Sequence, residues 1–429
     1  MGPSVSDDCF LHDRQRLLHD QAIALLRGRV QPIATVETIA LEAAVGRILA
    51  RSVHAVRPVP DHVNAAVDGY AFAFKDYDAG AGASFAIAGR AAAGHALLKP
   101  LPSGTAIRIF TGAVLPAGFD TVAMQEDCEV MAVRDGHATR VRIPAGLRAG
   151  ANVRRAGEDV AAGETLFAPG HVVRPQDLGA LASIGLGEVD CYRRVRAAIV
   201  STGDEIVRAG ETNLAQGQVF DANAPMLQGL ARLAGCAVDD LGVWPDLAGE
   251  VRSRLAAAAQ SVDVVLTSGG ASRGEEDHMA SALRELGSRH FWQLAIKPGR
   301  PMMFGQIGNS IVVGLPGNPA AVFVCFLMYV WPMLRRLGGA PWTEPRRLRL
   351  KAAFAFPRRK TGRREFWRGM LIETGDGLAV DKFPRDGSGL ISGLRAADGL
   401  IDIPEELTAV RPGDLVSFIP FTEFGILGR

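Results

Sequence analysis

The chain has 429 residues, 48% of them hydrophobic and 22% charged, and its 47 Lys plus Arg against 46 Asp plus Glu leave a net charge of +1. This composition excludes a disordered or fibrous chain, and the length predicts two to four domains with ample core. Without a basic excess, nucleic acid is excluded as a general partner, so any anion binding has to come from local clusters.

Taken in chain order, the pattern predicts an amphipathic helix from Asp13 to Arg27, with Leu17, Leu18, Ala22, Leu25 and Leu26 on one stripe, and a second through Ile39 to Leu49. The prolines of HAVRPVPDHVNAAVDGYAF then exclude helix and lead into a small all-β unit reaching about Val153, with short alternating runs such as AIRIF and RVRIP. From Val195 the rhythm changes to strand, loop, helix. Strands are predicted at Ala197–Val200, Ala237–Val243 and Val262–Leu266, with helices at Pro225–Ala234 and Leu247–Ala259 between them. That alternation implies a doubly wound α/β unit around a parallel sheet, which ends near Asn309 to Gly314. Asn318 is placed to cap the next helix, with Pro319 in its first turn. The longest apolar run, Ala320 to Leu334, is shorter than the about 18 residues of a membrane span and contains Pro332. It predicts a buried helix and no membrane partner. Beyond Pro341, short strands and turns predict a separate C-terminal β-domain.

The five cysteines are scattered, odd in number and never spaced as CxxC. A disulfide framework or zinc knuckle is not expected, and a reducing compartment is. The acidic start MGPSVSDDCF lacks the basic region of a secretory signal.

The most informative stretch is VDVVLTSGGASRGEEDH, from Val262 to His278. A buried strand that stops at Thr267, Ser268, Gly269 and Gly270 can turn backbone N–H groups outward to cradle an oxyanion such as phosphate. The acids that follow, Glu275, Glu276 and Asp277, would repel that anion unless a hard cation such as Mg²⁺ stands between. Ligands in open α/β sheets bind at the carboxyl ends of strands, where STGDEI, the WPD turn, TSGGASRGEED and LPGNP all fall. There Asp204, Glu205, Asp246 and Asp277 offer carboxylates, and Ser201, Thr202, Thr267 and Ser268 offer hydroxyls. Asp246 by itself reads rather as a helix cap or a solvated group. In IKPGRP, Lys297 can act as a point charge on phosphate and Arg300 as a planar fork for oxyanions. On residues alone, VDGYAF around Asp68 and FTGAVLPAGFDTVAMQED read as turns, and NVRRAGEDV reads as a solvated, internally paired turn. No HExxH, GxSxG or Cys/His pair supports metalloprotease or triad chemistry.

In order along the chain, VDGYAF, TGAVLPAGFDTVAMQED, NVRRAGEDV, STGDEI, GQVFDAN, TSGGASRGEED, IKPGRP and GLPGNPAA resemble the molybdopterin molybdenumtransferase family, which includes the bacterial molybdenum-insertion enzymes (MoeA) and the E domain of gephyrin. RREFWRG and GSGLISGLRAADGLIDIP extend the resemblance from about Leu17 to the C-terminus. It implies a multidomain α/β chain: a discontinuous helical/β linker domain (residues 10–57 and 155–192), an inserted β-rich domain (58–154), a doubly wound molybdopterin-binding domain (193–343) and a C-terminal β-barrel (344–429). It also implies an Mg²⁺-assisted reaction in which adenylylated molybdopterin and molybdate give molybdenum cofactor and AMP. A cytoplasmic homodimer is expected, supplied by a molybdopterin adenylyltransferase upstream, with the cleft shared between subunits.

Position by position, Asp68 and Thr111 match functional residues of the inserted domain, and Arg154 and Asp159 the charged pair after it. Glu205, Asp246 and Asp277 match the acids of the pterin domain, here the expected metal ligands. Lys297 matches its essential lysine, and Pro316 and Pro319 the prolines shaping its last loop. Ala65 stands where members commonly carry a serine, Gln293 where some bacterial members carry a second lysine, and Arg273 where a valine is common, so Arg273 is expected to restore the lost charge at the ligand. The alternative implied by gephyrin's second role is a catalytically silent pterin-binding or scaffolding paralogue.

Overall fold

The computed structural model describes residues 16–97, 99–134, 137–210, 214–269 and 278–428. Gly270, Arg273 and Asp277, singled out above, lie outside the described residues.

The doubly wound unit is a six-stranded sheet of β1 (Arg196–Thr202), β2 (Ala237–Trp244), β3 (Val264–Ser268), β4 (Ser288–Gln293), β5 (Pro301–Ile307) and β6 (Ser310–Leu315), in the order β2-β1-β3-β6-β5-β4. Side chains alternate across the sheet with period two. Ala197, Ile199, Val264, Leu266 and Val313 face one core with Leu227 and Leu230, while Ala198, Val200, Val265 and Val312 face another with Val251, Leu255 and Leu283. Burial on both faces explains the near-continuous apolar runs. The sheet is mixed rather than wholly parallel, since β5 runs antiparallel to both β4 and β6. The cause is local: Ile307 pairs with Ser310, so a two-residue loop, with Gly308 at φ +56°, can only make a hairpin.

The linker unit is discontinuous because its strands pair across the insertion. Val36–Ala40 runs antiparallel to Glu188–Tyr192, and Val53–His54 pairs with Thr165–Phe167. One core joins Leu41 and Leu49 to Val173, Leu181 and Val189. The helix expected through Ile39 to Leu49 is therefore corrected to a strand ending at Ala40 and a 3-10 turn, Leu41–Ala43. β-Branched Val36, Thr38 and Ile39 suit the pleat, and Gly46 at φ +77° bars a continuing helix. The first helix spans His19–Arg29 and buries His19, Ala22, Ile23 and Leu26, leaving Leu18 exposed at its start. His19 takes the core position because its Nδ1 lies 2.9 Å from the Tyr329 hydroxyl.

Between these halves, the inserted unit holds a six-stranded sheet whose strands Thr121–Met124, Gly69–Phe72 and Thr105–Ile109 are neighbours. At the other end, Arg364–Thr374 pairs with both Gly377–Lys382 and Gly399–Ile403, which closes five strands into the C-terminal barrel.

Residues 319–337 form one helix whose middle, Phe326–Val330, is π-helical. Pro332 has no N–H for the carbonyl four residues back, so the turn widens before it. By length and composition alone this helix could cross a membrane, and it is longer than the apolar run suggested. However, 83% of its most apolar window is buried inside the protein, so it is the central helix of the core.

Candidate functional site

Strands β1, β3 and β6 end side by side, Ser201 opposite Ser268 and Ser268 opposite Leu315. The chain leaves β1 toward β2 on one side and returns to β3 on the other, so the crevice at these ends is a topological switch point. The approach there is close: at Gly269, φ +89°, a Cβ would stand 3.2 Å from the Thr202 carbonyl and hydroxyl oxygens.

The hydroxyls divide into two kinds. Ser201 is fully buried and donates to Asp221 Oδ2 at 2.6 Å, while Thr267 donates to the Gly269 carbonyl at 2.7 Å. The Gly269 amide itself donates to Leu315 O at 3.1 Å. These three groups, expected to face a ligand, instead fix the crevice wall. Thr202 and Ser268 carry hydroxyls with no protein partner among the described residues.

A cavity of about 850 Å³ opens at this end of the sheet and runs to the barrel. Gly269, Lys297, Arg300, Pro316 and Gly317 line it from the α/β side, and Arg363, Phe366, Trp367, Arg368, Lys382, Asp386 and Ser388 from the barrel side. The two halves are spliced together, because Ile296–Lys297 forms a short strand parallel to the barrel strand at Arg364 and Glu365. That splice fixes where Lys297 stands. Gly299 completes the turn at φ +102°, and a Cβ there would meet Cys325 Sγ at 2.2 Å. Lys297 and Arg300 are exposed and make no ion pair within 4.0 Å among the described residues, whereas Arg363 is bonded to Glu365 at 2.9 Å. Unpaired cations in a half-enclosed cavity favour an oxyanion. Pro316 is buried in the wall, and Pro319 starts the helix that Asn318 precedes; no side-chain cap bond forms from Asn318. Of the barrel contributors, Arg363, Phe366, Trp367 and Arg368 fall in RREFWRG and Ser388 in GSGLISGLRAADGLIDIP, whereas Lys382 and Asp386 lie in no motif that could have pointed to them.

The acids form a separate edge. Asp204 Oδ1 accepts the Asp246 amide at 3.1 Å, Glu205 follows Asp204, and Asp246 Oδ1 lies 4.0 Å from His278 Nε2. No group of three His, Cys, Asp or Glu side chains that could hold a metal occurs among the described residues. Glu205 and Asp246 are carboxylates, the donor type a hard cation such as Mg²⁺ takes one or two of, with phosphate oxygens and water completing its shell.

In the inserted unit, Asp68 accepts two bonds from Thr111, from the amide at 2.8 Å and the hydroxyl at 2.7 Å. These bonds, with a smaller contribution from Arg108, hold its carboxyl below the usual carboxylate range. Arg154 pairs in a short strand with Asn64, and Asp159 is placed by its amide on Val59 O; both side chains are exposed. None of Asp68, Thr111, Arg154 and Asp159 lines the cavity of the same chain.

A doubly wound domain joined to a closed barrel around a cation-lined cavity defines a multidomain α/β protein with its cavity at the switch point of the sheet. The family model of the MoeA N-terminal region (domain I and II) matches residues 17–185, that of a probable molybdopterin binding domain residues 198–336, and that of the MoeA C-terminal region (domain IV) residues 349–421. Molybdopterin molybdenumtransferase of Haemophilus influenzae is 35% identical over 404 residues, covering 94% of this chain and 98% of that protein. Molybdopterin molybdenumtransferase 2 of Mycobacterium tuberculosis is 32% identical over 406 residues, covering 92% and 96%. The crystal structure of the molybdopterin biosynthesis MoeA protein of Pyrococcus horikoshii matches with a TM-score of 0.81 at 27% identity, over 95% of this chain and 100% of that one. The chain belongs to the molybdopterin molybdenumtransferase family.

Proposed function

We propose that this chain is a transferase of molybdenum cofactor biosynthesis that inserts molybdenum from molybdate into adenylylated molybdopterin, releasing AMP. The observation that carries the reading is the cavity at the carboxyl end of the sheet, where Lys297 and Arg300 make no ion pair among the described residues. Lys297 and Arg300 bind the phosphate end of the substrate, while Thr202 and Ser268 offer hydroxyl donors at the strand ends. Glu205 and Asp246, with Asp277 from outside the described residues, would hold a divalent cation such as Mg²⁺, which supplies charge neutralisation on the pyrophosphate. Asp68 and Thr111 serve the cleft of a second copy, which accounts for their distance from the cavity of their own chain.

The molybdenum is caught by the dithiolate of the ligand, and the protein thiols support this division of labour. Cys128 is pushed up to about 11 and Cys236 to about 12, in both cases chiefly by burial, and Cys325 is raised further still. Such groups are poor thiolate donors at neutral pH. The chain is proposed to work in the cytoplasm as a homodimer, downstream of a molybdopterin adenylyltransferase that supplies its substrate. Mixing the purified chain with adenylylated molybdopterin, molybdate and Mg²⁺ should release AMP only when molybdate is present. Pterin binding without turnover would instead favour a silent or scaffolding role.

A further inference from the structure

Among the described residues, the wall of the cavity carries five cations, Lys297, Arg300, Arg363, Arg368 and Lys382, and one carboxylate, Asp386. A carboxylate is an acceptor-only group, and in a cavity meant for anions it opposes the ligand. Asp386 is not there by slack. Arg368 donates to the carbonyls of Arg385 at 2.8 Å, Gly387 at 3.1 Å and Leu390 at 3.2 Å, which clamps the turn that bears it. The same turn is fastened to the α/β side, because the Ala320 amide donates to Ser388 O at 2.9 Å. So placed, Asp386 Oδ1 accepts from Lys382 Nζ at 2.8 Å. The lysine is nearly enclosed and stands 5.7 Å from the Trp367 ring centroid, whereas the Asp386 side chain is 57% exposed. Burial opposes ionisation of Asp386, but the bond from Lys382 and the charges of Lys382, Lys297 and Arg368 outweigh it, so the group stays charged.

We propose that Asp386 is a resident counter-anion of the cavity: its carboxylate occupies Lys382 and repels the incoming dianion, so that it weakens oxyanion binding and keeps it readily reversible. An arriving oxyanion has to displace the carboxylate from Lys382 or bind against its charge. This inference rests on the reading of the cavity as an oxyanion site and assigns it a specificity-determining residue that carries the wrong charge for a simple anion trap.

The test titrates inorganic molybdate into the purified full-length chain at low ionic strength, where exposed charges are least screened. Asp386→Asn keeps the size and removes the charge, and it should tighten molybdate about two- to fivefold, the span of an exposed charge pair. Asp386→Gln should act alike, and Asp386→Asn combined with Lys382→Met should lose the gain, because Lys382 is the cation set free. The gain should also shrink as salt is added. Unchanged or weaker binding by both Asp386→Asn and Asp386→Gln, in proteins that melt like the parent, overturns the proposal. Lys297→Ala separates the two layers. If it weakens molybdate while neither Asp386 variant strengthens it, only the counter-anion role fails. If none of these substitutions changes molybdate binding, or the parent itself does not bind molybdate, the oxyanion reading fails as well.

Discussion

Thr111 gives a single oxygen of Asp68 two hydrogen bonds, from its amide at 2.8 Å and from its hydroxyl at 2.7 Å, across 43 positions of sequence. The pair joins the end of one strand to the turn after another and keeps the carboxylate ionised and aimed. Thr111→Val removes the hydroxyl bond but leaves the amide bond, so the Asp68 carboxyl should titrate closer to its ordinary range. A group held low stays charged as pH falls, so the parent should keep its activity to lower pH than the variant. The acid limb of molybdate-dependent AMP release should move to higher pH in Thr111→Val and return in Thr111→Ser, with turnover down about tenfold in the valine variant. Identical acid limbs in all three proteins would count against a working role for the pair.

Ser201 and Thr202 are neighbours with different expected phenotypes. Ser201 serves Asp221, which also accepts Arg208 at 3.1 Å and the amides of Asn223 and Ala224 at 3.1 and 2.9 Å. Ser201→Ala should therefore cost about 1–2 kcal/mol of stability, read by denaturant unfolding, with ligand affinity nearly unchanged. Thr202→Val should show the reverse.

Gly299→Ala meets both a positive φ and the Cys325 sulfur. The expected loss is about 3 kcal/mol or more, combining backbone strain with overpacking. Adding Cys325→Ala should restore part of it, because the clash goes but the backbone conformation does not. Equal unfolding midpoints for Gly299→Ala and the parent would show that the Lys297 turn can shift without cost.

His19 is buried against Tyr329 and Phe366, and desolvation, helped by the Arg364 charge, lowers its pKa to about 4. The unfolded chain binds this proton more readily than the native one, so the contribution is fully present above about pH 6.5 and is lost as pH falls toward about 4. Over that window the parent should lose up to about 3 kcal/mol through this group. His19→Gln should flatten the slope of stability against pH there, whatever its effect at neutral pH. A slope that does not change would place the acid sensitivity elsewhere.

Much of this architecture was legible because the apolar periods differ by region. Ala197–Val200 and Val262–Leu266 could only be doubly buried strands, and the glycines and acids after them marked the ligand end of the sheet. The stretch from Ile39 to Leu49 misled because its apolar spacing also fits a helix, and only pairing with Glu188–Tyr192 across the insertion decides for a strand. Ser201, Thr267 and Gly269 looked like ligand donors because no local pattern reveals that Asp221, a loop carbonyl and Leu315 already take their bonds. Nor could residues read singly place Arg368, Lys382 and Asp386 opposite Lys297. That juxtaposition follows from two residues of strand, Ile296 and Lys297, joining the barrel edge.

The central claim is that segments far apart in sequence form one site, with Asp68 of one copy completing the cavity of another. It is tested most directly by mixing Asp68→Asn and Lys297→Ala subunits under conditions of verified subunit exchange and measuring molybdate-dependent AMP release. In a two-fold dimer, half of the mixed molecules carry one intact site, so two inactive proteins should recover about a quarter of parental activity. A mixture no more active than either variant alone would contradict the shared site.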